Sequence, residues 1–227
     1  MIDQIRQHYP ELLRGYRMTI VLTLAAMTLS VALGGVLALA RTSESRPLRI
    51  MATAYVEWFR NTPLLVQLFF LFFALPRLPR FDLPVIGEVT WLLSPFEAAL
   101  IGLTMYTTAY TTEALRSGLL SIDRGQTEAA RALGLTYMQT RVHVVVPQAF
   151  RIAIPLLTSI FSALFRNTAV VSAIGVTELL GAADRIQQQN FQTFELFTVA
   201  GVLYLSLTLP LAYASARLER RVARATA

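Results

Sequence analysis

Residues Met18–Ala40 form a run of 23 residues without one charged side chain. At a rise of about 1.5 Å per residue, a helix of that length crosses a hydrocarbon core of about 30 Å. Backbone N–H and C=O groups have no water to bond inside lipid, so such a run must satisfy itself as a helix. Ala38-Leu39-Ala40 imitates a signal-cleavage site, but the apolar stretch far exceeds a signal core of about 7–15 residues. The segment is therefore expected to remain as a span. Similar stretches recur, giving five candidate helices at 18–40, 50–75, 96–115, 148–173 and 195–216. With 55% hydrophobic and 15% charged residues, the chain is too apolar for an ordinary soluble surface. The expected fold is an all-α integral membrane protein, a bundle of about five transmembrane helices forming one domain over residues 1–227.

The net charge of +6 comes with 20 arginines and no lysine. These arginines flank the apolar runs and do not gather on one face, which argues against nucleic-acid binding. Zero cysteine excludes disulfides, thiol nucleophiles and cysteine metal sites. His8 and His143 lack ligand spacing, so no metal is expected. The arginines also orient the bundle. Pieces 41–49, 116–151 and 217–227 hold twelve of them, whereas the pieces on the other side hold six. The positive-inside rule then puts the N-terminus outside and the C-terminus inside, although the first helix alone, with three arginines on each flank, is ambiguous.

On that orientation the longest inside piece is SIDRGQTEAARALGLTYMQTRVHVVVP, residues 121–147. Gln126–Leu133 favours a helix that Gly134 ends in a left-handed cap. Thr136 and Gln139 form a capping box opening a second short helix, expected to stop near Pro147. Ser94, Pro95 and Glu97 give the third span an equally clear start. Two short helices joined at a glycine make a compact elbow, or else a mere connector between spans.

Glu128-Ala129-Ala130, three residues, Gly134, nine residues, then Val144-Val145-Val146-Pro147 resembles the EAA loop of bacterial ABC importer permeases. That family pattern is Glu-Ala-Ala, three residues, Gly, nine residues, Ile-x-Leu-Pro, so the departures are Val for Ile and Val for Leu. AYVEWFRNTPLLVQLFF, YTTEALRSGLLSIDRGQTEAARALGL and PQAFRIAIPLL extend the likeness to permeases of the histidine/glutamate/glutamine/arginine group. LTLPLAYASARLERR and RNTAVVSAIGV look most like the glutamate type. The resemblance runs from about Met18 to Arg221. It implies a multi-pass bacterial inner-membrane subunit with no catalytic residue or cofactor of its own. ATP and Mg would be bound by two cytoplasmic ATPase partners gripping Glu128, Ala129, Ala130, Gly134 and Pro147. It also implies a second permease chain, more in keeping with a heteromeric pair, and an extracytoplasmic binding protein that delivers a polar amino acid. No G-x-x-x-x-G-K-[ST] run is present, which agrees with hydrolysis elsewhere.

Two spans share the letters FRNT, at 59–62 and 165–168. Charge inside a span costs roughly 2.5–3.5 kcal/mol on insertion scales and calls for a partner or a water-filled cavity. Arg60 has Glu57 three residues earlier as a local partner. Pro63 follows and should break the helical ladder, bending the second span. Arg166 has no acid within four residues, so it meets either a glutamate of another helix or a passing carboxylate, which guanidinium binds in a bidentate fashion. The resemblance places this stretch beside the translocation path. Arg60, Asn61, Thr62, Arg166, Asn167 and Thr168 are thus pathway candidates. Asn167, where an aspartate would suit cations, favours neutral or acidic substrates such as glutamate. Thr104, Thr107, Thr108, Thr111 and Thr112 make a hydroxyl stripe. Thr104 and Thr108 either join the pathway or, like most membrane hydroxyls, bond backbone and neighbouring helices. Glu113 has Arg116 for a pair. The two FRNT runs do not mark a duplication, since identity ends after four letters. Outer segments 76–95 and 177–193 are candidate docking surfaces for a binding protein. A secondary carrier or a membrane scaffold are the competing classes. The first usually shows internal repeats, which this chain lacks, and the second has no use for Arg166, Asn167 and Thr168.

Overall fold

The computed structural model describes residues 2–77, 82–83, 87–88 and 92–225. The expected outer segment 76–95 therefore lies mostly outside the described residues. What is described is helical apart from an antiparallel pairing of Asp82–Leu83 with Gly87–Glu88.

Helix α1, Ile2–Arg41, runs well beyond the expected 18–40 at its N-terminal end. Helix α2, Arg46–Asn61, is followed by a break and then by α3, Leu64–Phe69, a π-helical turn Phe70–Ala74 and a 3₁₀ turn Leu75–Arg77. The two arms diverge by 104°. The bend expected at Pro63 is thus present, and the span expected as one helix over 50–75 is two. Helix α4, Pro95–Leu120, opens with the expected capping box, in which Ser94 and Glu97 bond each other's backbone.

Helices α5, Arg124–Ala132, and α6, Tyr137–Thr140, build the elbow. The second does not stop near Pro147. It passes through a π-helical turn, Arg141–Val145, into α7, Val146–Asn167, and on through a 3₁₀ turn to Ile174. Proline lacks an N–H and its ring crowds the carbonyl four residues back. The wider π turn just before Pro147 accommodates both effects without ending the helix. Helices α8, Leu179–Asn190, and α9, Thr193–Ala225, complete the chain.

Helix α1 packs along α4, α4 against α7, and α7 against α9. One core gathers Leu22, Leu68, Leu103, Leu164 and Val171, joining α1, α3, α4 and α7 with the 3₁₀ turn that follows it. Val21, Leu24 and Val36 on α1 and Leu205 and Leu209 on α9 are exposed. Apolar side chains turned outward along whole helices suit a lipid surrounding and not water. By length and apolarity His8–Arg41, Tyr137–Ile174 and Thr193–Leu218 can each cross a membrane, and the bent pair Arg46–Asn61 with Leu64–Arg77 has the composition of either a broken fourth span or a re-entrant loop. Helix α4 does not reach that apolarity, because it carries the threonine stripe and the charges Glu113 and Arg116. Helices α1, α2 and α7 pack against it.

Candidate functional site

A groove of about 220 Å³ opens between α4 and α7, lined by Tyr106, Thr107 and Tyr110 on one side and Ala163, Leu164 and Asn167 on the other. The two tyrosines stand one turn apart, with rings 5.0 Å between centroids and hydroxyls 3.1 Å apart. Arg60 of α2 lies over the Tyr110 ring, 5.7 Å from its centroid, so a guanidinium borders the groove through a cation–π contact. Glu57 does not serve Arg60 as the sequence suggests. It accepts from Asn61 Nδ2 at 3.0 Å. Arg166 is exposed beside Asn167, and its Nη1 donates to Ser162 Oγ at 3.4 Å. Among the described residues neither guanidinium lies in an ion pair.

The remaining pathway candidates lie elsewhere. Thr62 Oγ1 donates to Trp58 O and accepts from Gln67 Nε2, so it belongs to the closure of the break. Thr104 and Thr108 are buried on the α1 and α2 side of α4. Ser30 Oγ of α1 donates to Thr104 O, and Thr111 Oγ1 donates back to Ser30 O. Thr112 Oγ1 returns to Thr108 O. Of the stripe, Thr111 bonds across to α1 and Thr112 to its own helix, Thr107 lines the groove, and the hydroxyls of Thr104 and Thr108 are buried without a hydrogen-bond partner among the described residues. Thr168 is fully buried, its hydroxyl donating to Phe165 O. Of the eight candidates, Asn167 lines the groove and Arg60 reaches its edge at the Tyr110 ring, while Arg166 is exposed on the helix next to Asn167 in sequence.

The elbow follows its expected outline up to the start of its second helix. Asp123 caps α5 through Gly125 N at 2.6 Å. Gly134 takes φ +87°, and the N–H groups of Gly134 and Leu135 return to Arg131 O and Ala130 O. This is the left-handed termination that favours glycine. Thr136 and Gln139 then cap α6 reciprocally. Ala130 is buried, whereas Glu128, Ala129, Leu133, Tyr137 and Met138 face outward and form a mixed apolar and acidic platform. Arg141 Nη2 donates to Thr42 Oγ1 at 2.8 Å, tying the elbow to the α1–α2 turn. At the elbow's root a Cβ on Gly118 would come within 2.4 Å of Ala149 O, so α4 and α7 meet there backbone to backbone.

Three features were not singled out from sequence. Glu113 pairs with Arg116, as expected, and also with Arg41 at the end of α1. Gln67 is buried, and its Nε2 donates to Phe59 O, Thr62 O and Thr62 Oγ1 at the break. Glu178 is fully buried in what the sequence offers as an outer loop. It caps α8 through Leu180 N and Gly181 N, and accepts from Thr19 of α1 and Tyr204 of α9. Burial pushes its carboxyl up, and the donors only partly offset that.

The family model for the binding-protein-dependent transport system inner membrane component matches residues 15–224. The probable glutamine ABC transporter permease protein GlnM of Bacillus subtilis is 34% identical over 92% of this chain and 91% of that protein. The L-cystine transport system permease protein TcyB of the same organism is 36% identical, over 98% and 91% respectively. A solved structure described as an amino acid ABC transporter with histidines superposes with a TM-score of 0.83 at 32% identity, covering 97% of this chain and 98% of that one. A continuous helical run from elbow to groove and a match spanning nearly the whole chain agree, and the protein belongs to the binding-protein-dependent transport system inner membrane components, the permease and not the ATPase of an ABC transporter.

Proposed function

We propose that this permease imports a polar amino acid, acidic or neutral and glutamate-like, across the bacterial inner membrane. The observation that carries the proposal is the single helical run Tyr137–Ile174. One end of it is the elbow, and the other bears Arg166 and Asn167. A tilt imposed at the elbow reaches the groove directly, because packed elements shift between discrete arrangements and do not deform gradually. The chain acts as one permease domain over 1–227 with five spans, α4 being the fifth, N-terminus outside and C-terminus inside. Two ATPases that bind ATP and Mg grip the platform around Glu128. A second permease, of a related but different sequence, completes the pathway, and an extracytoplasmic binding protein delivers the cargo.

The relatives are named for glutamine and L-cystine, each with an α-carboxylate. Arg166, exposed, held by one long hydrogen bond and next in sequence to the groove residue Asn167, is free to meet that carboxylate. Asn167 supplies a neutral donor and acceptor for the rest of the substrate. The test is Arg166→Ala in proteoliposomes holding the ATPase, the second permease and the binding protein. Losing a charge-assisted hydrogen-bonded contact of about 3 kcal/mol should lower uptake roughly 100-fold while ATPase docking persists. Uptake at the original rate removes Arg166 from the path.

A further inference from the structure

A second cavity, of about 760 Å³, lies away from the groove, where the N-terminal part of α1 faces α8 and the start of α4. Arg14 and Arg17 project into it from α1, three residues apart and so on one face, and Arg185 from α8. Glu11 is the one acid in the lining, which leaves the cavity with a net charge of +2. Among the described residues none of the three guanidiniums is in an ion pair. Arg14 Nε donates to Pro10 O, and Arg185 Nη2 donates to Thr177 Oγ1. Among the described residues the lining thus sets three guanidiniums against one carboxylate.

Val21, about half exposed, and Phe96 line the same cavity. Both belong to the apolar stretches, and Arg17 is the last charge before the uncharged run Met18–Ala40. The cavity is therefore charged above and oily below, at the level where the polar face of the bilayer meets its hydrocarbon. We propose that it holds an anionic phospholipid. The phosphate lies among Arg14, Arg17 and Arg185, and an acyl chain descends past Val21 and Phe96. Guanidinium suits a phosphate because its donors form a planar fork. A carboxylate on a docked protein would meet the arginines but has no use for an apolar wall running down into the span. The excess positive charge selects a lipid with net negative charge over a zwitterionic one. In the proposed orientation this is an outer-leaflet site, so a lipid bridges α1 and α8 on the side that a binding protein approaches.

The experiment uses the full chain assembled with its ATPase and second permease, delipidated in detergent. Native mass spectrometry and thermal unfolding then follow added phosphatidylglycerol, phosphatidylcholine or inorganic phosphate. Phosphatidylglycerol should bind about tenfold more tightly than phosphatidylcholine and raise the melting temperature. The pair Arg17→Gln and Arg185→Gln should weaken it about 30-fold, and Arg185→Gln alone about fivefold if the pair fails to fold. Equal binding of the two lipids, or unaltered binding by the variants, overturns the proposal. Inorganic phosphate that alone reproduces the stabilisation would assign the cavity to a free anion instead. Because the chain has no cysteine, a photocrosslinker placed on Gln189→Cys in nanodiscs reports the occupant directly. Lipid adducts support the proposal, and crosslinks to the binding protein in its place defeat it.

Discussion

The two FRNT runs begin with the same four residues and end in different structures. At 59–62 the helix stops, Thr62 turns extended with ψ 139°, and the chain leaves at 104°. At 165–168 the helix continues, Thr168 keeps ψ −26°, and only tightens into a 3₁₀ turn. The next residue decides, Pro63 in one case and Ala169 in the other, because proline excludes the helical region for the residue before it. Each run is also followed by a long polar side chain that closes a helix end. Gln67 donates to the orphaned carbonyls Phe59 O and Thr62 O, whereas Glu178 accepts from the orphaned N–H groups of Leu180 and Gly181. A helix that ends needs donors and a helix that begins needs acceptors. An amide stands at one place and a carboxylate at the other for that reason.

The sharpest way to break this contrast is Gln67→Glu. A carboxylate there would face two carbonyl oxygens in a buried site with nothing to donate, and should cost about 3–5 kcal/mol. Thermal unfolding should show the largest loss in the set, with partial recovery at low pH, where a protonated carboxyl can donate once. Unchanged stability would mean that the break does not need its amide. Next comes Ala169→Pro, which forces the second run to imitate the first. With Thr168 held in the helical region and no glutamine four residues on, the cost should be about 3 kcal/mol. Expression and melting temperature should both fall, and the reverse outcome would show that the second run tolerates a break.

The break, the caps and the elbow were legible because each is local. Pro63, Ser94 with Glu97, Gly134, and Thr136 with Gln139 act within four residues of themselves. Glu178 was not legible, because its partners Thr19 and Tyr204 come from α1 and α9, 159 and 26 residues away. A glutamate at the start of TELLGAADR reads as a solvated acid until those helices close over it. Gln67 hid inside an apolar run for the same reason, although an amide four residues after a proline break is a signal worth testing in other chains. The π turn before Pro147 was missed because a proline there reads equally well as a stop. The groove's tyrosines, at 106 and 110, sit within the threonine stripe, and only the folded helix shows them turned to α7 while Thr111 bonds to α1 and Thr112 to its own backbone.

Glu178→Gln tests the acceptor side with a milder change. The amide keeps one oxygen for the N–H groups and gives up the other, so about 1–2 kcal/mol should be lost. The pH dependence is the more telling readout. Burial raises this carboxyl in the folded protein, so the unfolded chain ionises first, near pH 4.3. Stability from this site is then full below that value and declines as pH rises through the shifted one. The glutamine variant should lose that part of the slope. Retention of the full slope would place its origin in other groups.

The smallest effect is expected from Pro63→Ala, which separates the two causes of the bend. If proline alone made it, alanine would let α2 and α3 fuse into one straight helix, and the buried contacts of Leu68 against Gly102 would be lost. Gln67 remains, however, and still satisfies the carbonyls of Phe59 and Thr62. Pro63 itself sits at φ −63° and ψ 137°, a conformation alanine adopts without strain. The bend should therefore persist, at a cost of about 0.4–1 kcal/mol arising from the greater freedom of the unfolded chain. Paired spin labels on Trp58 and Phe70, each replaced by cysteine in this cysteine-free chain, would read the distance across the break. An unchanged distance shows that glutamine and packing hold the bend, and a longer one that proline enforces it.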